Sequence, residues 1–158
     1  MRLTPSRAIT GKFLIAVGVT TVLGCVIQTQ IILAEVQAMG GPVTPAVRLD
    51  TTLQDLVGFT PTFAGIVAAT FLGAFPVAAW LGRRVAQPAM RTGVYAAAAA
   101  VGLGLAFQVA DALAPMPTLI AATRGVVGTV WMMGSAVAGG LVFGALLARD
   151  ALRARALA

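Results

Sequence analysis

The 158-residue chain is 59% hydrophobic and only 10% charged, whereas soluble domains give about a quarter of their residues to charge, so water is not its principal solvent. Its net charge of +6 does not point to nucleic acid, because the eleven basic residues follow the topology instead of gathering in one aromatic-rich patch. Histidine is absent and Cys25 is the single cysteine, which excludes an internal disulfide and CxxC chemistry and removes the usual ligand for haem or zinc and the usual near-neutral base.

Arg2, Arg7 and Lys12 precede FLIAVGVTTVLGCVIQTQIILA, an uncharged run of twenty-two residues over 13–34. A basic start followed by Ile32-x-Ala34 has the outline of a secretory signal, but the run exceeds the roughly 7 to 15 apolar residues of a signal core. It is expected to be an uncleaved first span. The outer loop 35–58 begins with helix breakers, Gly40, Gly41, Pro42 and Pro45. Asp50 or Thr51 is then expected to cap a short helix over 50–57, with Leu49, Leu53, Leu56 and Val57 on one face and Arg48, Gln54 and Asp55 elsewhere. That pattern predicts an interfacial helix whose apolar stripe lies on the bilayer or a partner and whose polar face is in water.

The second span is predicted over 59–81, with Pro61 near its start and Pro76 inside it, where the missing N–H frees the Leu72 carbonyl and favours a kink. A short loop bearing Arg83, Arg84 and Arg91 leads to the third span, 92–112, which contains five consecutive alanines and closes at Asp111. Pro115 and Pro117 predict a tight turn that makes the last two spans antiparallel neighbours. The fourth span, 120–148, holds twenty-four residues between Arg124 and Arg149 without an ionisable side chain. At 1.5 Å per residue these cover about 36 Å, enough to cross a hydrocarbon core of about 30 Å. The expected fold is an all-α, polytopic, four-transmembrane-helix antiparallel bundle forming a single membrane domain.

One side of these spans carries nine basic residues (Arg2, Arg7, Lys12, Arg83, Arg84, Arg91, Arg149, Arg153 and Arg155) against Asp150 alone, and the other has Arg48 and Arg124 against Glu35, Asp50, Asp55 and Asp111. The positive-inside rule then puts both termini and the central loop in the cytoplasm of a bacterial-type inner membrane. Glu35, Asp111 and Arg124 each close an uncharged run, so as a first reading they are interfacial anchors.

The candidate ligand-binding residues are Gln28, Gln30, Glu35, Gln108, Asp111 and Arg124, which antiparallel geometry brings to the outer third of the bilayer. On the first span Thr21, Gly24, Gln28, Ile31 and Glu35 form one helical seam; Ala97, Val101, Gly104, Gln108 and Asp111 do so on the third, and Arg124, Gly128, Trp131 or Met132, Ser135 and Gly139 on the fourth. A glutamine facing lipid leaves its amide unsatisfied at a cost of a few kcal/mol, so Gln28 and Gln108 are expected to face the interior. They serve there either as interhelical glue or, with Arg124 paired to Asp111 or Glu35, as a pocket for a lipid, quinone or small amphiphile.

Gly65-x3-Ala69-x3-Gly73, Ala96-x3-Ala100-x3-Gly104 and Gly140-x3-Gly144-x3-Ala148 are small-residue ridges that allow close helix approach. Three such ridges exceed what a lone bundle needs. Trp80 and Tyr95 are expected in an aromatic belt, and Trp131 inside. No phosphate loop, GxSxG, HExxH or CxxC is present. The expected function is that of a non-catalytic accessory subunit packing with other membrane subunits and membrane lipid, with no metal and no cofactor beyond a bound lipid or quinone. The alternative is a small homo-oligomeric transporter or channel, followed by an enzyme acting on lipids at the outer face.

Overall fold

The computed structural model describes residues 7–113 and 121–157, without the side chains of Arg7, Ala121 and Arg124. The turn expected at Pro115 and Pro117 and the pairing expected of Arg124 lie outside the described residues. The fold is all-helical: α1 (Arg7–Ala38), α2 (Pro45–Gly58), α3 (Thr60–Gly82), α4 (Pro88–Leu113) and α5 (Val126–Ala156), with a 3₁₀ turn at Ala121–Arg124. The helices α1, α3, α4 and α5 are each long and apolar enough to cross a membrane.

Three boundaries differ from expectation for identifiable reasons. Pro45 opens α2 instead of breaking it, because its missing N–H falls in the first turn, where no intrahelical partner exists. The cap is accordingly Thr44, whose hydroxyl accepts from the Val47 N–H at 3.3 Å, and not Asp50 or Thr51. The helix α5 starts at Val126, later than residue 120, because the chain passes through the 3₁₀ turn at Ala121–Arg124 and an extended Gly125 first; Gly128 then lies so close to the Ala122 carbonyl that a Cβ there would sit 1.9 Å from the oxygen. The break between α2 and α3 falls at Phe59, just ahead of Pro61: Phe59 still donates to the Asp55 carbonyl at 2.8 Å and Phe63 to Phe59 at 3.0 Å, but Pro61 has no proton for Val57. Later in α3 the helix runs through Pro76 uninterrupted.

The long helices pack in a ring, α1 on α3, α3 on α4, α4 on α5 and α5 back on α1. Contact positions rise along one helix as they fall along the next. Gly104 meets Met133, Gly140 meets Ala96 and Gly144 meets Thr92, so α4 and α5 are antiparallel. Gly24 beside Phe63 and Phe13 against Phe75 give the same sense for α1 and α3. Phe63 against Phe107 and Gly102 beside Thr70 and Ala74 do the same for α3 and α4, so each long helix runs opposite to the one before it.

Aromatic rings fill the half of the bundle nearer the arginine-rich end. Phe75 stacks on Phe71 and Phe143, with centroids 4.5 and 4.3 Å away, and Tyr95 packs edge-on against Phe75 and Phe143. Tyr95 is thus a core ring, not a belt residue. Trp80 is exposed, as expected, with the Arg84 guanidinium 4.2 Å above its ring. Trp131 is also exposed, against expectation, because Met132 takes the buried position on that turn, in line with Gly128, Ser135 and Gly139. At the arginine-rich end Lys12 and Asp150 form an ion pair that ties α1 to α5.

The small-residue ridges have separate fates. Those of α4 and α5 pack against the opposite helix, leaving Gly140 and Gly144 against the α4 backbone. On α3, Gly65, Ala69 and Gly73 are exposed, and nothing lies within 4 Å of where a Cβ would stand at either glycine.

Candidate functional site, a polar seam capped by α2

The seam is written into α1 as Thr20-Thr21, Gly24-Cys25 and Gln28-Thr29, three pairs of small or polar residues at four-residue intervals, close to the helical repeat. All six are buried. Opposite them α5 offers Ser135 and Gly139, and the backbones come close: a Cβ on Gly139 would meet the Thr20 hydroxyl at 2.0 Å and the Ala16 carbonyl at 2.8 Å. Ser135 Oγ donates to the Met132 carbonyl at 2.6 Å, so its proton is held within its own helix.

At the acidic end, α2 closes the seam. Thr29 Oγ1 lies 3.0 Å from the Cys25 carbonyl and 2.7 Å from Asp55 Oδ2, so its one proton serves either acceptor. Gln30 Nε2 donates to Thr52 Oγ1 at 3.2 Å, its Oε1 accepts from Arg48 Nη1, and Thr52 Oγ1 donates to the Arg48 carbonyl at 2.7 Å. Arg48, Thr52 and Asp55 thus span eight residues of α2 yet engage two adjacent positions of α1, the pattern of one helix laid across another. Arg48 and Asp55 are turned to the bundle and not to water, contrary to expectation, whereas Gln54 is exposed as expected and Leu49, Leu53 and Val57 are left exposed.

Four polar oxygens inside the protein are buried without a hydrogen-bond partner among the described residues: Thr20 Oγ1, Thr21 Oγ1, Gln28 Oε1 and Thr60 Oγ1. In a low-dielectric interior each costs on the order of 1–3 kcal/mol relative to a satisfied group.

Of the residues singled out from sequence, Gln28 faces the interior and Gln30 anchors α2. Glu35 is exposed, and Asp111 is half-buried at the end of α4. Gln108 is exposed too, which overturns its expected inward orientation. Leu103 and Phe107 take the inward stripe of α4, with Phe107 stacked on Phe63 at 6.4 Å, and the next residue points about 100° away. The two glutamines do not face each other across the interior, and the seam is built from α1, α2 and α5.

Thr29, Thr52, Thr60 and Thr20 are the members that sequence inspection passed over, since a threonine in an apolar span reads as filler. The four-residue recurrence of small and polar pairs on α1 was the available signal. Thr29→Val should release α2 at a cost of about 1–3 kcal/mol; faster hydrogen exchange over residues 47–57, with α1 itself still protected, is the expected readout.

No known protein family matches the chain, and no curated protein or solved structure is significantly similar to it.

Proposed function

We propose that the chain is a multi-pass protein of a bacterial-type cytoplasmic membrane, with both termini in the cytosol, that works without catalysis by packing into a larger membrane complex. The observation that carries this reading is the outer face of α3. Other small-residue contacts are used up internally, Gly139 against Thr20 and Gly140 against Ala96, whereas Gly65, Ala69 and Gly73 form a ridge that none of the described residues covers. In lipid, where apolar burial gives little drive for association, such a ridge favours a second helix because the backbones can approach closely. The exposed Leu49, Leu53 and Val57 stripe of α2 suits the bilayer interface, with the helix held flat by its contacts to α1. Of the candidate ligand-binding residues Gln28 is buried while Glu35 and Gln108 are exposed, so assembly carries the reading more than a ligand does.

The test is the double variant Gly65→Leu, Gly73→Leu, purified from membranes beside the parent chain. Helicity and detergent-extracted size of the chain itself should be unchanged, while unlike chains that accompany the parent should be depleted about tenfold or more. Undiminished partners would overturn the proposal, as would a parent chain that purifies only as a homo-oligomer.

A second reading, a small homo-oligomeric transporter or channel, is favoured by the unpartnered oxygens of Thr20, Thr21, Gln28 and Thr60, since groups left unsatisfied in an interior suit a solute that supplies the missing bonds.

A further inference from the structure

At the arginine-rich end a cavity of about 300 Å³ opens between α4 and α5. Arg91 and Arg155 are exposed at its mouth, and Tyr95, Gly144, Leu147 and Ala148 form its wall deeper along the helices. A second cavity of about 240 Å³ adjoins it, sharing Arg91 and Tyr95 and adding Arg83. Charge lies at the level of a bilayer's polar layer and apolar wall at the level of its acyl chains, the same order as in a phospholipid.

Among the described residues, Arg83, Arg91 and Arg155 are not paired with a protein anion. Asp150, the one carboxylate at this end of the described chain, is paired with Lys12 on α1, and no other ion pair is formed among the described residues. Arg91 is also held in place: its Nε donates to the Val85 carbonyl at 2.7 Å, which fixes the plane of the guanidinium and leaves the terminal nitrogens for a ligand. A guanidinium so oriented offers parallel donors matched to phosphate oxygens.

We propose that the paired cavities around Arg91 and Tyr95 bind the phosphate head of an anionic phospholipid from the cytoplasmic leaflet, Arg91 and Arg155 holding the phosphate and the Leu147 and Ala148 wall receiving an acyl chain. The proposal rests on the membrane orientation given above but not on assembly through α3. It can fail while that reading stands.

The test uses the full chain in a neutral detergent, with lipid adducts counted by native mass spectrometry against phosphatidylglycerol, phosphatidylcholine and diacylglycerol. Phosphatidylglycerol should bind in preference to phosphatidylcholine, and diacylglycerol should not bind. Each of Arg91→Gln and Arg155→Gln should weaken phosphatidylglycerol about fivefold, and the two together about twenty-five-fold. Arg149→Gln, which removes a charge outside the cavity lining, should leave binding unchanged, and Ala148→Phe should block it by filling the wall while all arginines remain. Circular dichroism and monodisperse elution check that each variant is folded. Phosphatidylglycerol binding that is insensitive to both arginine variants and to Ala148→Phe would overturn the proposal. So would its displacement by inorganic phosphate alone, which would assign the arginines to a soluble anion.

Discussion

Gly140→Leu is expected to be strongly damaging, lowering the unfolding free energy by about 3 kcal/mol or more. A Cβ at this position would stand 2.6 Å from the Tyr95 carbonyl oxygen, 2.7 Å from Ala96 Cα and 2.9 Å from Ala96 N. These are backbone atoms of α4, which no rotamer change can move aside, so the two helices must separate. Overpacking a core costs about 1–3 kcal/mol when side chains can adjust, and here they cannot. Separation at residue 140 also loosens Gly144 from Thr92 and Gly104 from Met133, which lie on the same interface. The smaller change Gly140→Ala is the sharper diagnostic. In an open helix Gly→Ala stabilises by about 0.5–1 kcal/mol, because glycine loses more backbone entropy on folding. At Gly65, where nothing stands nearby, that gain should be seen, whereas at Gly140 the sign should reverse. Reversible unfolding of both variants in one detergent measures the contrast directly; equal effects at the two positions would mean that α4 and α5 do not meet as described.

Gln28→Leu should have the opposite effect on stability. The glutamine is 7% exposed and its amide oxygen has no partner among the described residues. Leucine occupies similar volume and leaves no desolvated oxygen, so unfolding should become harder by about 1–3 kcal/mol. If the seam conducts a polar solute, the stabilised variant should lose flux while assembling normally. If the chain is an accessory subunit, the variant should be sturdier and fully competent in its complex. The same substitution thereby separates the two functional readings, with stability as an internal check that Gln28 lies where the structure places it.

How much of this was legible beforehand depended on which physical rule each residue obeys. The four long helices could be read because a membrane solvent imposes length and composition together, and the expected ends fall within one residue for α3 and four for α4, whereas α1 begins six residues earlier and α5 runs eight residues further than expected. The face each helix turns inward was harder. With apolar residues all round, nothing in α4 but packing distinguishes Phe107 from Gln108, and the ring that stacks on Phe63 wins the interior. Trp131 and Met132 pose the same choice on α5, where the flexible thioether suits a site beside Ser135 and Gly128 and the indole does not. The helix α2 is visible in sequence as amphipathic, but amphipathicity alone does not say which face meets the protein. Arg48, Thr52 and Asp55 satisfy Gln30 and Thr29, because a buried or half-buried amide and hydroxyl on α1 need those partners more than water does.

The ridges show the limit from the other direction. Three small-residue stripes are equivalent as sequence, yet Gly140 and Gly144 are consumed inside the fold and Gly65 and Gly73 are not. Gly144→Leu therefore tests folding, and only the α3 substitutions test association.

The most direct measurement is the side of the membrane on which each connection lies. With Cys25 replaced by alanine, single cysteines at Gln37, at the acidic end of α1, and at Gln87, between α3 and α4, should be probed in intact spheroplasts with a membrane-impermeant maleimide. A chain that crosses four times with its arginines in the cytosol labels at Gln37→Cys and stays dark at Gln87→Cys until the membrane is opened. Labelling at residue 87 in sealed cells, or at both positions alike, would contradict it.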